Sequence, residues 1–217
     1  MPQTIAEQVD EFNVGFNDQI GPRLADVFAR EQQDLVEGGV PAGAVSVGDV
    51  VPDSTLLTPE GTTTTLSAVL AGRPAVLVFY RGAWCPYCNI ALRTYQRELL
   101  PELDRRGVAL VAISPQKPER SQEIAEAAEL GFPVLSDPGN ALVRTHGIRT
   151  EPSAEARSAH TDLGFDVADY NADETGDVPY PTVLVVDADR AVRFADVHVD
   201  YTTRTEVPTI LAAVDAA

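Results

Sequence analysis

An α/β fold is predicted for this chain of 217 residues by three features of its sequence. Short apolar runs suited to buried strands recur along it, at "PAVLVFY" (residues 74–80), "VALVAIS" (108–114) and "TVLVVDA" (182–188). Segments of helical periodicity separate them, and strands alternating with helices call for a layered sheet with helices packed on it. The length is that of one ordinary domain with an extension, and we place the boundary at residue 39: a helical extension over 1–39 and one α/β domain over 40–217.

In the extension, Ile5, Val9, Phe12 and Phe16 recur at helix spacing. After the break at "IGP" a second stripe runs through Leu24, Val27, Phe28 and Leu35 and stops at Gly38 and Gly39. These faces must be covered, either by the chain's own domain or in a homodimer interface, and the sequence leaves both open. "VGDVVPDSTLLTPEGTTTTL" predicts a threonine-rich hairpin turning at Pro59–Gly61. "PAVLVFY" has the continuous apolar character of a strand buried on both faces. A helix is expected over 86–103, interrupted by Pro101. Strand 108–114 follows, then a helix near 119–130, a strand in "FPVLSD", a short helix near 139–146, strands in "TVLVVDA" and "AVRFADV", and a closing helix on Val207, Ile210, Leu211 and Val214. Residues 149–178 carry eight acids and little periodicity, which predicts a long surface excursion.

The chain holds 33 acidic and 16 basic residues, a formal net charge of -17, so nucleic acid and anionic membrane surfaces are disfavoured as partners. A solvated acidic surface accounts for this charge; adaptation to high salt, where self-repulsion is screened, is the other reading. The opening "MPQTIAEQVDEF" lacks the basic start and apolar run of a signal peptide, and no run approaches a membrane span, so a cytoplasmic protein is expected.

Cys85 and Cys88 are the only cysteines, set in "FYRGAWCPYCNI" where an apolar strand gives way to a helix. A structural zinc site needs four ligands, and His146, His160 and His198 lack the spacing to complete one, so no metal is expected. A permanent disulfide across so small a loop constrains the unfolded chain little. Two buried inert thiols, flanked by Trp84 and Tyr87, are the other alternative. A reversible redox pair fits the position best: the helix N-terminus favours a thiolate at Cys85, Pro86 suits the first turn, and Cys88 lies one turn on, within reach of a species formed on Cys85.

"WCPYC" resembles the Trp-Cys-x-x-Cys of thioredoxins. Together, "FYRGAWCPYCNIALRTYQ", "VAISPQKPE" and "LGFPVLSDPGNALVRTHGI" resemble the alkyl hydroperoxide reductase and thiol-specific antioxidant superfamily, the peroxiredoxins, and in particular a branch with this motif in which "FADVHVDYTTR" also resembles the closing segment. The resemblance implies a thioredoxin-like fold, a central mixed sheet flanked by helices, preceded here by the helical extension. It also implies antioxidant reduction of hydroperoxides through a Cys85–Cys88 dithiol/disulfide cycle, with no bound cofactor and with an external thiol of thioredoxin type or of low molecular weight as reductant. Pro181, after Tyr180, is implied as the cis-proline that faces the reactive cysteine. Three departures stand out. Val78 and Gly82 replace the proline and the peroxide-orienting hydroxyl; Tyr180, Pro181 and Thr182 stand where an arginine is expected; and Phe79 replaces the buried carboxylate of thioredoxins. Arg81 is the candidate to favour the thiolate in their place. The alternatives are a protein disulfide reductase and a redox-sensing or partner-binding module without turnover.

Overall fold

The computed structural model describes residues 2–217. Its central strand, β3 (Ala75–Phe79), runs parallel to β4 (Ala109–Ser114), which runs parallel to β5 (Val134–Ser136). On its other side β3 pairs antiparallel with β8 (Thr182–Val186), and β8 with β9 (Val192–Val197). The hairpin β1 (Thr55–Leu57) and β2 (Thr63–Thr65) adds the far edge, giving the mixed order β2-β1-β5-β4-β3-β8-β9. Because alternate side chains of a strand face opposite ways, Val76 and Val78 enter one core while Ala75, Leu77 and Phe79 enter another on the opposite face. Burial on both faces explains the unbroken apolar run.

Helices α2 (Leu66–Leu70) and α6 (Ala141–Thr145) cover one face. The other carries α3 (Pro86–Thr94), α4 (Leu100–Arg106), α5 (Pro118–Ala127) and α9 (Val207–Asp215). The expected helix over 86–103 is observed as α3 and α4 joined by a π-helical turn at Tyr95–Leu99, with Pro101 in the first turn of α4, where a missing N–H is tolerated. The break is thus a change of winding rather than a gap.

The extension is one element, α1 (Ile5–Gly38), bent at Gly21, whose φ of 76° and ψ of 165° leave the helical region just before Pro22. It packs on its own domain. Thr4 and Glu7 form a capping box. The Glu206 carboxylate, at the start of α9, accepts the free N–H groups of Ile5 (3.0 Å) and Ala6 (2.9 Å). Ile5 and Val9 are buried in the domain core. The arm after the bend lies on α7 (Ala154–Asp162): Arg23 pairs with Asp162 at 2.7 Å, and Glu31 accepts the Ser153 N–H at 2.8 Å.

Residues 149–178 are therefore more than a surface excursion. Between the short paired strands β6 (Arg149–Thr150) and β7 (Val178–Pro179) they fold into α7 and α8 (Val167–Tyr170), and α7 buries Ala156, Ala159 and His160. Small residues at helical spacing, rather than large apolar ones, make this contact, which is why no periodicity is visible. No helix among the described residues is long and apolar enough to cross a membrane.

Removing the second cap on α1 tests its docking. Glu206→Ala should lower stability by about 1–2 kcal/mol and expose α1 to limited proteolysis; an unchanged urea midpoint would show that the cap contributes nothing.

Candidate active site

The two cysteines sit where β3 gives way to α3, at the carboxyl end of the sheet. Gly82 makes the turn: a Cβ there would lie 2.4 Å from Trp84 Nε1, so a bare backbone lets the indole fold over it. Gln116, fully buried, accepts the Ala83 N–H at 2.7 Å and donates to the Tyr80 hydroxyl at 3.1 Å and to Ser114 Oγ at 3.2 Å. Asn89 donates to the Ala83 carbonyl at 2.9 Å. The loop is thus clamped from "VAISPQKPE" on one side and from α3 on the other. Cys85 is the N-cap of α3, with Pro86 in its first turn, as the sequence predicts.

Cys85 is 1% exposed and Cys88 fully buried, both as free thiols. Arg204, from the loop between β9 and α9, reaches them from below: its Nη2 lies 2.9 Å from Cys88 Sγ and 3.9 Å from Cys85 Sγ. Its Nη1 donates to the carbonyls of Tyr201 (2.7 Å) and Thr203 (2.6 Å). The loop itself is fixed by His198, whose ring meets Asp196 (3.0 Å), Thr205 (3.2 Å) and Thr203 (2.7 Å), and by Tyr95, which donates to the Thr205 carbonyl at 2.7 Å. The closing segment "FADVHVDYTTR" is a device for holding this arginine. Sequence reasoning looked for a cation at Tyr180–Thr182 and missed it here, although Arg204 ends the motif that carried the resemblance.

The charge is placed differently from the expectation. Burial pushes the Cys85 thiol up, and its hydrogen bond to Cys88 and the charge on that sulfur push the same way, against Arg81 and Arg204. Burial opposes ionisation of Cys88 too, but the hydrogen bond from Cys85 and the Arg204 guanidinium outweigh it and hold Cys88 well below an ordinary thiol. The reduced pair therefore shares one proton, with the thiolate on Cys88 rather than on the helix-capping Cys85. The helix N-terminus loses to a guanidinium at hydrogen-bond distance.

A cavity of about 330 Å³ opens over Cys85, which lines it while Cys88 does not. Its walls are Trp84, Pro86, Tyr87, Arg81 and Tyr201 from the domain, both arms of α1 from Asn13 to Gln32, and His160, Leu163 and Phe165 from the 149–178 segment. The Tyr87 hydroxyl donates to Asn13 at 2.9 Å, and its ring meets Phe12 edge-on at 5.8 Å, tying the motif to α1. His160 stacks among Phe28, Trp84 and Phe165; burial, then Arg81, pushes its imidazole down to about 4, so it is neutral at pH 7. Arg81, 5% exposed, lies between the Trp84 ring (4.9 Å) and the Tyr201 ring (4.2 Å).

Two sequence expectations are corrected. The bond before Pro181 is trans, since no cis peptide bond occurs among the described residues. Tyr180 and Pro181 also lie outside the Cys85 cavity, in a smaller neighbouring one that shares only Arg81 and Tyr201 with it. The backbone there is already engaged, with the Tyr180 N–H donating to Ile148 (2.7 Å) and the Pro181 carbonyl accepting from His198 (2.9 Å). No cluster of potential metal ligands occurs among the described residues.

A mixed sheet with a Cys-Pro-Tyr-Cys helix start at the carboxyl end of its central strand defines a dithiol protein of thioredoxin-like fold. The chain belongs to the AhpC/TSA family, whose sequence pattern matches residues 47–195. It is 30% identical over 141 residues to Rv2521, a Mycobacterium tuberculosis protein that carries a peroxiredoxin name, across 60% of this chain and 88% of that one. It is 31% identical over 111 residues to the thiol-disulfide oxidoreductase ResA of Geobacillus thermodenitrificans, across 51% of this chain and 62% of that one. In fold it is similar to the crystal structure of peroxidoxin BcpB from Mycobacterium tuberculosis, with a TM-score of 0.60 at 23% identity over 79% of this chain and 97% of that one. The matched family segment includes both cysteines but neither α1 nor Arg204.

Arg204→Gln should move the first ionisation of the thiol pair upward by about 1–3 pH units, read from thiolate ultraviolet absorbance against pH. An unchanged titration would mean that the guanidinium does not hold the charge.

Proposed function

We propose that this protein is a thiol peroxidase that reduces hydroperoxides with the Cys85–Cys88 pair, Cys85 attacking and Cys88 resolving. The observation that carries the reading is the arrangement of the pair itself: Cys85 lines an open cavity, and the Cys88 sulfur lies 2.9 Å from the buried Arg204 guanidinium. The family and the peroxiredoxin-named relative support the same activity.

The chemistry follows from the shared proton. Transfer of that proton from Cys85 to Cys88 leaves Cys85 as the thiolate facing the cavity. It attacks the terminal oxygen of ROOH, the O–O bond breaks, and the product is a Cys85 sulfenic acid and an alkoxide RO⁻. The Cys88 thiol returns the proton to RO⁻, giving ROH, and is again a thiolate beside Arg204. It attacks the Cys85 sulfur and expels hydroxide, which solvent protonates to water, closing the disulfide. In this scheme Cys88 serves as proton store and then as resolving thiolate. That supplies the proton for which thioredoxins use a carboxylate at the position of Phe79. Arg81 and Arg204 supply the positive potential at the sulfurs. An external thiol then reduces the disulfide, and a cytoplasmic setting, where thiols are kept reduced, suits such a cycle.

A second reading, thiol–disulfide exchange on a disulfide substrate, is favoured by the absence of a hydroxyl at Gly82 and by the similarity to ResA. The same sulfurs would then pass through a mixed disulfide.

Stopped-flow mixing of reduced protein with hydroperoxide, followed by Trp84 fluorescence, separates these. Oxidation faster than that of free cysteine is expected, while a rate no faster, alongside rapid reaction with a disulfide, would favour the second reading. Inertness to both would leave a binding module. Cys85→Ser should abolish reaction altogether. Cys88→Ser should still consume one equivalent of peroxide and stop as a sulfenic acid that dimedone labels; failure of Cys85 to react in that variant would reverse the division of labour.

A further inference from the structure

Arg81 is nearly buried yet unpaired. It takes part in no ion pair among the described residues, and its Nε is buried without a hydrogen-bond partner. Its guanidinium lies over the faces of Trp84 and Tyr201. Glu31, which shares the smaller neighbouring cavity, gives one carboxylate oxygen to the Ser153 N–H and makes no ion pair with Arg81. A buried charge without a counter-charge costs several kcal/mol. Moreover, although the chain carries 33 acids, no Asp or Glu lines the cavity above Cys85. Arg81 thus places an unpaired cation beside the reactive sulfur, in a cavity walled by aromatic rings and side-chain amides.

The same cavity restricts what reaches Cys85. Helix α1 crosses the site with both arms pinned, through Glu206 and Tyr87 on one side of its bend and through Asp162 and Ser153 on the other. The Tyr180 N–H and the Pro181 carbonyl are bonded within the protein. In the dithiol form Cys85 is 1% exposed, at the floor of a cavity of about 330 Å³, and a protein reductant would have to bring its own cysteine into that cavity. That volume is at the small-ligand end of natural pockets, about 300–1,000 Å³.

We infer that the thiol which reduces the Cys85–Cys88 disulfide is a small molecule with a carboxylate near its sulfur, bound in this cavity with the carboxylate on Arg81, and is not a protein. The inference rests on the redox cycle proposed above and concerns its closing half. The small thiolate attacks Cys85 Sγ, the S–S bond breaks, and Cys88 leaves as a thiolate onto Arg204, a leaving group favoured by the same contact that stabilises it in the reduced state. A second small thiolate attacks the small-molecule sulfur of the mixed disulfide and displaces Cys85. Two thiols give up two electrons and leave as their disulfide; of their two protons, one is retained by the cysteine pair and the other goes to solvent.

The test uses full-length protein whose disulfide has been formed with diamide, so that reduction is read whether or not the reduced form reacts with peroxide. Failure of the peroxidase reading and failure of this one are then separate results. Trp84 fluorescence gives the rate of reduction by 3-mercaptopropionate, 2-mercaptoethanol, cysteamine and a thioredoxin, each corrected for its thiolate fraction. The net charge of -17 favours the cationic cysteamine over any anion, so a preference the other way reports the local site. The expected result is reduction by 3-mercaptopropionate about tenfold or more faster than by cysteamine, the scale of one charge-assisted hydrogen bond, with thioredoxin slower than the small thiols. Arg81→Gln should erase the charge preference and Arg81→Lys should restore part of it. Faster reduction by thioredoxin than by every small thiol would overturn the inference. So would a wild-type preference for cysteamine or none, a measurement that does not depend on either variant folding.

Discussion

The contact between Arg204 and Cys88 is the interaction on which the rest of the site depends. A buried thiolate and a buried guanidinium are each expensive alone, and only their pairing makes either tolerable. The 2.9 Å approach requires the loop after β9 to hold one conformation, and a ring of polar residues with His198 at its centre holds it. The pairing also ranks the redox states. In the dithiol form Arg204 has a counter-charge; when the sulfurs bond to each other it loses it. A pair whose reduced form is the better satisfied is readily reduced and leaves as a good thiolate, which suits an enzyme that must be reset after each turnover.

Helix α1 completes the site rather than decorating it. Cys85 caps α3 at the carboxyl end of the interior strand β3, and the extension makes that position the floor of a chamber. The bend at Gly21 makes this possible: a straight helix of 34 residues would pass the motif once, whereas two arms meeting at an angle wrap it. The apolar faces that needed a cover are satisfied within the chain, by the domain core at Ile5 and Val9 and by His160 at Phe28.

Much of this was legible in the residues. Strand runs such as "PAVLVFY" announce double-sided burial because both faces of β3 are covered, and the Cys-Pro step announces a helix start because proline is suited to the first turn. Arg204 was not legible as a site residue, since its sequence distance from Cys88 is closed only by sheet topology, and no local pattern marks a loop that returns beneath a helix. The 149–178 segment is hard to read for a related reason: α7 buries two alanines and a histidine, so its buried face carries none of the large apolar residues that periodicity detects. The thiolate was expected on Cys85 because helix position is visible in sequence and a guanidinium contact is not. Pro181 is assigned by resemblance, and the backbone bonds from Tyr180 to Ile148 and from His198 to Pro181 give that segment a structural use instead.

The missing hydroxyl at Gly82 is the local price of this design. Any side chain there would strike the Trp84 indole, and that indole is one face of the sandwich that holds Arg81 beside the cavity. The loop can offer a peroxide either a hydroxyl from position 82 or a guanidinium from position 81, and Trp84 decides between them. The guanidinium favours charge on the Cys85 sulfur. A hydroxyl can orient one oxygen but carries no charge, and because none of the chain's 33 acids lines the chamber, no carboxylate there competes with the sulfur for Arg81.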